Sequence, residues 1–252
     1  MNITWDAEKY TEDFSFVHQY GESVTELIES DVNSTLLDLG CGNGTLSKSL
    51  LDKGFRVQGI DASKELLELA SVKYPEIPFI QADATDFSLA KPVDVVFSNA
   101  VFHWIDADKQ ASMLRCVHRA LKENGEFVFE FGGHGNNQLI HESLARTFEE
   151  YGYSYDMPFY FPTIAEYATL LEKAQFKVNY AILFNRPTEL EGEDGLRDWI
   201  QLFVKTPFSV VDNEDHKAVI LDTTVKRLQK TLYKDGKWYA DYVRLRMKAS
   251  RL

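Results

Sequence analysis

The first half of the chain alternates short apolar runs with longer amphipathic runs, and this alternation most constrains the fold. The apolar runs are typical of strands and cover residues 35–39, 56–60, 79–81, 93–98 and 126–131. The amphipathic runs have helical spacing and cover residues 22–29, 45–53, 64–73 and 109–121. Strands that alternate with helices predict a sheet of five parallel strands covered by helices.

The pattern changes after residue 132. Residues 134–175 have helical patterns interrupted by an aromatic-rich stretch, residues 176–185 resemble another strand, and residues 187–233 are mostly helical. An Asp235-Gly236 turn then precedes an alternating run over residues 238–248. We therefore expect one sheet that continues through this half, with two helical insertions on one edge. Such insertions commonly carry substrate contacts, because sites are built from loops over a rigid sheet.

Composition excludes several classes of protein. The 252 residues carry a net charge of −12, which opposes generic binding to nucleic acid. The two cysteines, Cys41 and Cys116, are too few for a disulfide scaffold, and the histidines form no cluster with metal-ligand spacing. No apolar run reaches the roughly 20 residues of a membrane helix, and the first residues have no signal-peptide pattern. We expect a cytoplasmic monomer or homodimer without a metal or a membrane contact.

A glycine-rich loop follows the first strand. Residues 36–47 read L-L-D-L-G-C-G-N-G-T-L-S, so Gly40, Gly42 and Gly44 lie between an apolar strand and a helix. Such a loop lets a ligand lie against the backbone, and the helix start offers N–H groups to it. A dinucleotide loop requires G-x-G-x-x-G, but Thr45 stands at its last position, which disfavours a pyrophosphate ligand. Asp38 can hold an ammonium group, so S-adenosylmethionine fits better; a purely structural turn is the alternative.

Two further carboxylates strengthen this interpretation. Asp61 ends the second strand, where a carboxylate accepts hydrogen bonds from both ribose hydroxyls in nucleoside-binding sheets, and Ala62 follows it. Asp83 follows the third strand and is placed to bind the adenine amino group, with the Ala84 N–H near a ring nitrogen. Either aspartate could instead cap a helix. Carboxylates after three successive strands together favour a nucleoside site.

On these residues the chain resembles the class I S-adenosylmethionine-dependent methyltransferases. The motif residues are Asp38 to Gly44, Asp61, Asp83-Ala84 and the D-V-V-F-S-N run at 94–99. More narrowly, it is similar to the trans-aconitate methyltransferase group through residues 5–10 (W-D-A-E-K-Y), 99–105 (N-A-V-F-H-W-I), 195–200 (G-L-R-D-W-I) and 242–248. One departure is His103, which stands where we expect glutamine in the bacterial enzyme.

The resemblance implies a Rossmann-like α/β fold with a seven-stranded, mostly parallel sheet. Its last strand is antiparallel, and the helical insertions form a cap. The implied division is a helical lid over residues 1–30, a cofactor-binding core over 31–133 and a remainder over 134–252 that carries the substrate cap. The implied activity is methyl transfer to a small molecule, with a carboxylic acid as the leading acceptor. Transfer to N, O or C of another metabolite, or donor binding without catalysis, remains an alternative.

The resemblance also assigns roles to residues outside the loop. In the lid, Tyr10 is the candidate for contacting the donor, against simple aromatic packing. Asn99 is placed at the methionyl end of the donor, or is a turn residue. His103 is either a catalytic base or part of the binding wall, since its ordinary pKa lies near neutrality. The candidate acceptor contacts, each of which could instead be structural, are Trp104, Tyr151, Arg186, Trp199 and Arg244, with Arg197 as a further arginine.

Overall fold

The structure is a computed structural model that describes residues 16–252, with side chains from Tyr20 onward. Five parallel strands form the centre of its sheet, and each begins where the apolar pattern places it or a few residues earlier. They are β1 (Thr35–Leu39), β2 (Arg56–Asp61), β3 (Phe79–Gln81), β4 (Val93–Asn99) and β5 (Leu121–Gly132). The predicted parallel sheet is therefore confirmed, and the order of the strands reverses between β1 and β4.

One helix precedes β1 and three others connect successive strands, as the helical spacing predicts, whereas β3 and β4 are joined without a helix. The four helices are α1 (Phe16–Thr25), α2 (Thr45–Asp52), α3 (Lys64–Lys73) and α4 (Gln110–Ala120). Ser63 caps α3, because its hydroxyl accepts the Leu66 N–H at 3.2 Å. The first helix differs from the prediction of 22–29: it ends at Thr25, where the Leu27 and Ile28 N–H groups turn to carbonyls three residues back.

The second half completes the same sheet. Strands β6 (Phe176–Leu190) and β8 (Lys237–Arg251) pair antiparallel with each other, β8 also pairs antiparallel with β5, and the two-residue β7 (Tyr233–Lys234) pairs with β8. The strand order is β3-β2-β1-β4-β5-β8-β6, which gives the seven strands expected and the antiparallel last strand. The insertions contain α5 (Gln138–Glu150), α6 (Ile164–Lys173), α7 (Gly195–Phe203), α8 (Lys205–Phe208) and α9 (Glu214–Leu232).

The length of β6 was predicted wrongly. Helix was expected from residue 187, but the strand continues to Leu190 and pairs with β8 along its whole length, with Pro187 opposite Asp241. A proline is tolerated there because β6 is an edge strand, whose outward N–H positions need no partner. Helix resumes only at Gly195.

The core lies on both faces of the sheet. Phe97, Phe127 and Phe129 are fully buried along β4 and β5, which explains why these strands read as continuous apolar runs. Within residues 16–252, no helix has the length and apolar character needed to cross a membrane. Residues 1–15, which include Tyr10 and half of the expected lid, lie outside the described part of the chain.

Candidate active site

A cavity of about 570 Å³ opens at the carboxyl ends of the parallel strands. It lies beside the point where the strand order reverses, which is where ligands bind in open α/β sheets. At one end it is lined by the glycine loop and the residues that follow β2 and β3, and at the other by aromatic side chains of the insertions. The two ends of the cavity therefore differ in chemistry, one polar and the other aromatic.

The three glycines of the loop differ in how closely other side chains pack against them. All have positive φ: 79° at Gly40, 54° at Gly42 and 77° at Gly44. A Cβ on Gly40 would lie 2.2 Å from the Val101 side chain, and one on Gly44 would meet Phe79 at 2.8 Å. A Cβ on Gly42 would meet nothing closer than 4.0 Å, and Gly42 lines the cavity. Gly40 and Gly44 are therefore needed for packing, whereas Gly42 leaves space for a ligand.

Asp61 joins the glycine loop to the end of β2. One carboxylate oxygen accepts the Gly42 N–H and the other accepts the Ser63 N–H, each at 2.8 Å. Burial raises the pKa of Asp61, while these backbone hydrogen bonds oppose the rise. A carboxylate has about four lone-pair positions, more than these backbone N–H groups occupy, so acceptor capacity remains for a hydroxyl donor from the cavity. Asp61 therefore orders the loop and keeps acceptor capacity for a hydroxyl group.

Asp38 and Cys41 lie behind the loop, and neither is among the residues that line the cavity. Asp38 is 2% exposed and accepts a hydrogen bond from the Ser47 hydroxyl at 2.6 Å. Burial raises its pKa to about 7, and the charge of Asp61 adds to the rise. Burial likewise raises the pKa of the Cys41 thiol, so this cysteine stays protonated. The expected contact between Asp38 and an ammonium group stays a prediction that now requires a bridging water or a shift of the loop.

The predicted adenine and methionyl residues lie on the cavity wall. Asp83 and Ala84 line it beyond β3, and Ala62 lines it beyond β2. The Thr85 hydroxyl and N–H both donate to one oxygen of Asp83, at 2.7 and 2.8 Å. Although burial raises the pKa of Asp83, these bonds outweigh burial and lower it, so the carboxylate is charged at neutral pH. Asn99 lines the cavity at the end of β4.

The other end of the cavity is aromatic, and His103 lies within it. The ring of His103 is 5.3 Å from that of Trp104 and 6.0 Å from those of Phe159 and Phe161. Nδ1 accepts the Gly132 N–H at 3.4 Å. Burial lowers the pKa of His103 well below 6.5, and the nearby Arg244 charge lowers it further. His103 is therefore neutral at pH 7, with its proton on Nε2.

Arg244 contributes a guanidinium group to this aromatic end. It lies on β8, is 6% exposed, and its guanidinium carbon is 4.4 Å from the centre of the Tyr242 ring. Tyr242 lines the cavity too and accepts the Trp199 indole N–H at 2.6 Å. A buried, planar guanidinium group suits a planar anion such as a carboxylate.

Three of the predicted acceptor residues lie away from the cavity. Arg186 forms an ion pair with Glu130, with Nη2 and Oε2 3.1 Å apart, and Glu130 is 2% exposed. Arg246 binds the same carboxylate at 2.7 Å, so Arg186 belongs to a structural network. Arg197 forms an ion pair with the half-exposed Asp222 on the surface. Tyr151 packs against His216 instead, with ring centroids 5.5 Å apart.

Several cavity residues were not predicted from the sequence as site residues. They are the pair Asn136 and Asn137, the aromatic residues Phe159, Phe161, Phe203 and Tyr242, and Lys109. Phe159 and Phe161 lie in a segment between α5 and α6 that has no regular secondary structure. The sequence feature that could have identified these wall residues is an aromatic-rich stretch that forms neither helix nor strand.

The residues at the loop end fit an adenosyl ligand. Gly42 leaves room beside the backbone, Asp61 keeps acceptor capacity for a hydroxyl group, and Asp83 offers a charged acceptor. The described residues contain no group of three or more His, Cys, Asp or Glu side chains that could hold a metal ion.

Comparisons with known proteins agree with this geometry. The profile of a family described as a methyltransferase domain matches residues 36–125. An uncharacterized methyltransferase of Schizosaccharomyces pombe is 31% identical over 98% of each chain, and a trans-aconitate 2-methyltransferase of Azoarcus is 32% identical over half of each chain. A solved putative methyltransferase from Bacillus halodurans matches 92% of this chain and 99% of its own, at 16% identity and a TM-score of 0.65. The chain therefore belongs to the S-adenosylmethionine-dependent methyltransferases.

Proposed function

We propose that this methyltransferase esterifies a small carboxylic acid. The observation that carries the proposal is the buried Arg244 guanidinium on the aromatic wall of the cavity that begins at the glycine loop. When bound, S-adenosylmethionine supplies a methyl group that is activated by the positive charge on sulfur. The trans-aconitate methyltransferase of Azoarcus, by its name, acts on a carboxylic acid.

The residues of the loop end would hold the donor. Asp61 accepts from the ribose hydroxyls with its remaining acceptor capacity, Asp83 accepts from the adenine amino group, and Gly42 leaves the backbone open to the ligand. The aromatic residues of the insertions exclude water from the other end, which strengthens the attraction between Arg244 and an anion. Holding the two ligands in line can supply about 7–11 kcal/mol of the barrier reduction.

The state of His103 favours an acceptor that needs no base. Its lowered pKa makes it a weak proton acceptor, and its Nδ1 already accepts the Gly132 N–H. A carboxylic acid is ionised at pH 7 and is itself the nucleophile. His103 then acts as a neutral hydrogen-bond donor of the acceptor wall, through Nε2. A hydroxyl or amine acceptor must lose a proton during methyl transfer. His103 is a poor acceptor for that proton, because its pKa is lowered and its Nδ1 already accepts the Gly132 N–H.

Transfer of a labelled methyl group tests the proposal. The wild-type protein is incubated with labelled donor and panels of carboxylic acids, phenols and amines, and products are scored for the alkali-labile ester bond. Arg244→Met should lower the yield of ester at least tenfold, whereas the surface variant Arg197→Met should retain it. Label found in amines or phenols and not in acids, or tight donor binding with no transfer to any panel member, would contradict the proposal.

A further inference from the structure

A second cavity of about 460 Å³ lies beside the aromatic end of the first. Its walls come from residues 134–136, from the first half of α5 and from the irregular segment around residues 155–161. Three residues line both cavities: Asn136, Phe159 and Phe161. The two phenylalanine rings are stacked, with centroids 5.4 Å apart. The cavities are thus separated by side chains of an irregular segment, which can shift without breaking a helix or strand.

His141 is a buried titratable residue of the second cavity that the proposed methyl transfer does not use. It is 5% exposed, and its ring is 5.4 Å from that of Phe159, while His103 approaches the same ring within 6.0 Å. Nδ1 is hydrogen-bonded to the Tyr155 hydroxyl at 2.6 Å. Nε2 has no hydrogen-bond partner among the residues that the structure describes, and it has almost no accessible surface, so a ligand group reaches it only where the neighbouring aromatic side chains shift. A buried polar atom of this kind requires an explanation, and a ligand group is one.

The surroundings of His141 indicate which ligand group fits. Burial lowers the pKa of His141 to about 4, so Nε2 belongs to a neutral imidazole at pH 7. Ala145, Met157 and Phe159 give the cavity apolar walls, and the exposed Glu142 at its rim disfavours an anion. The chemistry suits an apolar chain that carries an uncharged hydroxyl or carbonyl group.

We propose that the second cavity binds the distal part of the methyl acceptor, through a hydrogen bond between His141 Nε2 and an uncharged polar group on an apolar chain. This inference rests on the proposed function, because it places the acceptor carboxylate beside Arg244 in the first cavity. The acceptor is then an elongated monocarboxylic acid, whose chain passes Phe159 and Phe161. A compact polycarboxylate would leave the second cavity and His141 unused.

Calorimetric titration with straight-chain acids and their ω-hydroxy forms tests the proposal. The titrations are made in the presence of the demethylated donor, S-adenosylhomocysteine, so that binding is read without turnover. The dissociation constant should fall about fourfold per methylene once the chain reaches the second cavity. At one chain length the ω-hydroxy acid should bind about tenfold more tightly than the alkyl acid of equal length.

His141→Leu should abolish this preference for the hydroxy acid while binding of the alkyl acid persists, because leucine offers no hydrogen bond. His216→Leu is the matched control: His216 Nδ1 is 3.0 Å from the Tyr153 hydroxyl, the same kind of pair, but His216 lines neither cavity. The preference should survive in this control. Tyr155→Phe removes the hydroxyl that pairs with His141 Nδ1 and should reduce the preference for the hydroxy acid. This variant tests the proposal if His141→Leu fails to fold.

The results separate this inference from the proposed function. An affinity that does not change with chain length, or a hydroxy preference that persists in His141→Leu, overturns the second-cavity proposal. If only short acids form methyl esters, the second-cavity proposal is overturned, but the proposed esterification is supported. Chain-length-dependent binding without ester formation supports the second cavity and refutes esterification. Absence of binding by any acid refutes both.

Discussion

Substituting Gly42 separates the ligand-binding role of the loop from its structural role. Gly42 has a φ of 54°, so an alanine there adopts the left-handed region at a cost of about 1–2 kcal/mol in the free energy of unfolding. Its methyl group would meet no protein atom closer than 4.0 Å. The strain therefore carries no added clash, and the melting temperature should fall by only about 2–8 °C. The same methyl group would stand in the cavity, where the donor is proposed to lie against the backbone.

We expect Gly42→Ala to weaken donor binding at least tenfold, about 1.4 kcal/mol, when S-adenosylmethionine is titrated calorimetrically. Gly236→Ala is the matched control, because Gly236 has a φ of 79° and also has nothing within 4 Å of an added Cβ, but lies in the turn between β7 and β8. It should lose similar stability and keep the wild-type affinity. Wild-type affinity in Gly42→Ala, or equal loss of affinity in both variants, would show that Gly42 does not border the bound donor.

Three further predictions concern charged groups. Arg244→Met should raise the KM for a carboxylic acid at least tenfold and leave the dissociation constant of the donor unchanged; a raised donor constant alone would contradict the assignment. Arg186→Met should lower the free energy of unfolding by about 3 kcal/mol in denaturant titration, because Glu130 is 2% exposed and keeps only Arg246; an unchanged midpoint would refute this. The pKa of His141 is about 4 in the folded protein, below its unfolded value of about 6.5, so protonation favours unfolding. As the pH falls from 6.5 to 4, the wild type should lose up to about 3 kcal/mol of stability relative to His141→Leu, and parallel pH profiles would contradict this.

The glycine-loop end of the cavity, where we propose that the donor binds, could be predicted from the sequence because it is built from local signals. Asp61 and Asp83 follow strands directly, and the carboxyl ends of parallel strands meet at one edge, so sequence spacing placed them on one cavity. The sequence could not distinguish the glycines from one another. Whether Gly42 or Gly44 leaves open space depends on Leu66 and Phe79, which approach from other elements.

The acceptor end depends on tertiary pairing and was predicted less completely. Arg186 and Arg244 both lie on long antiparallel strands, and their patterns are equivalent in sequence. In the structure, Glu130 binds Arg186 in an ion pair, whereas Arg244 lines the cavity wall. This difference depends on where Glu130 lies and cannot be read from the sequence pattern. Phe159 was missed as a wall residue because it lies in a segment without periodicity, where side-chain direction cannot be inferred from spacing.

The central claim is that the carboxylate at the end of β2 holds the sugar of an adenosyl donor. Calorimetric titration of S-adenosylmethionine into the wild-type protein and into Asp61→Asn tests it most directly, because the substitution keeps the side-chain shape while removing one acceptor oxygen and the charge. We expect one bound donor per chain in the wild type and at least tenfold weaker binding in the variant. Equal affinities in the two proteins, or no binding to the wild type, would contradict it.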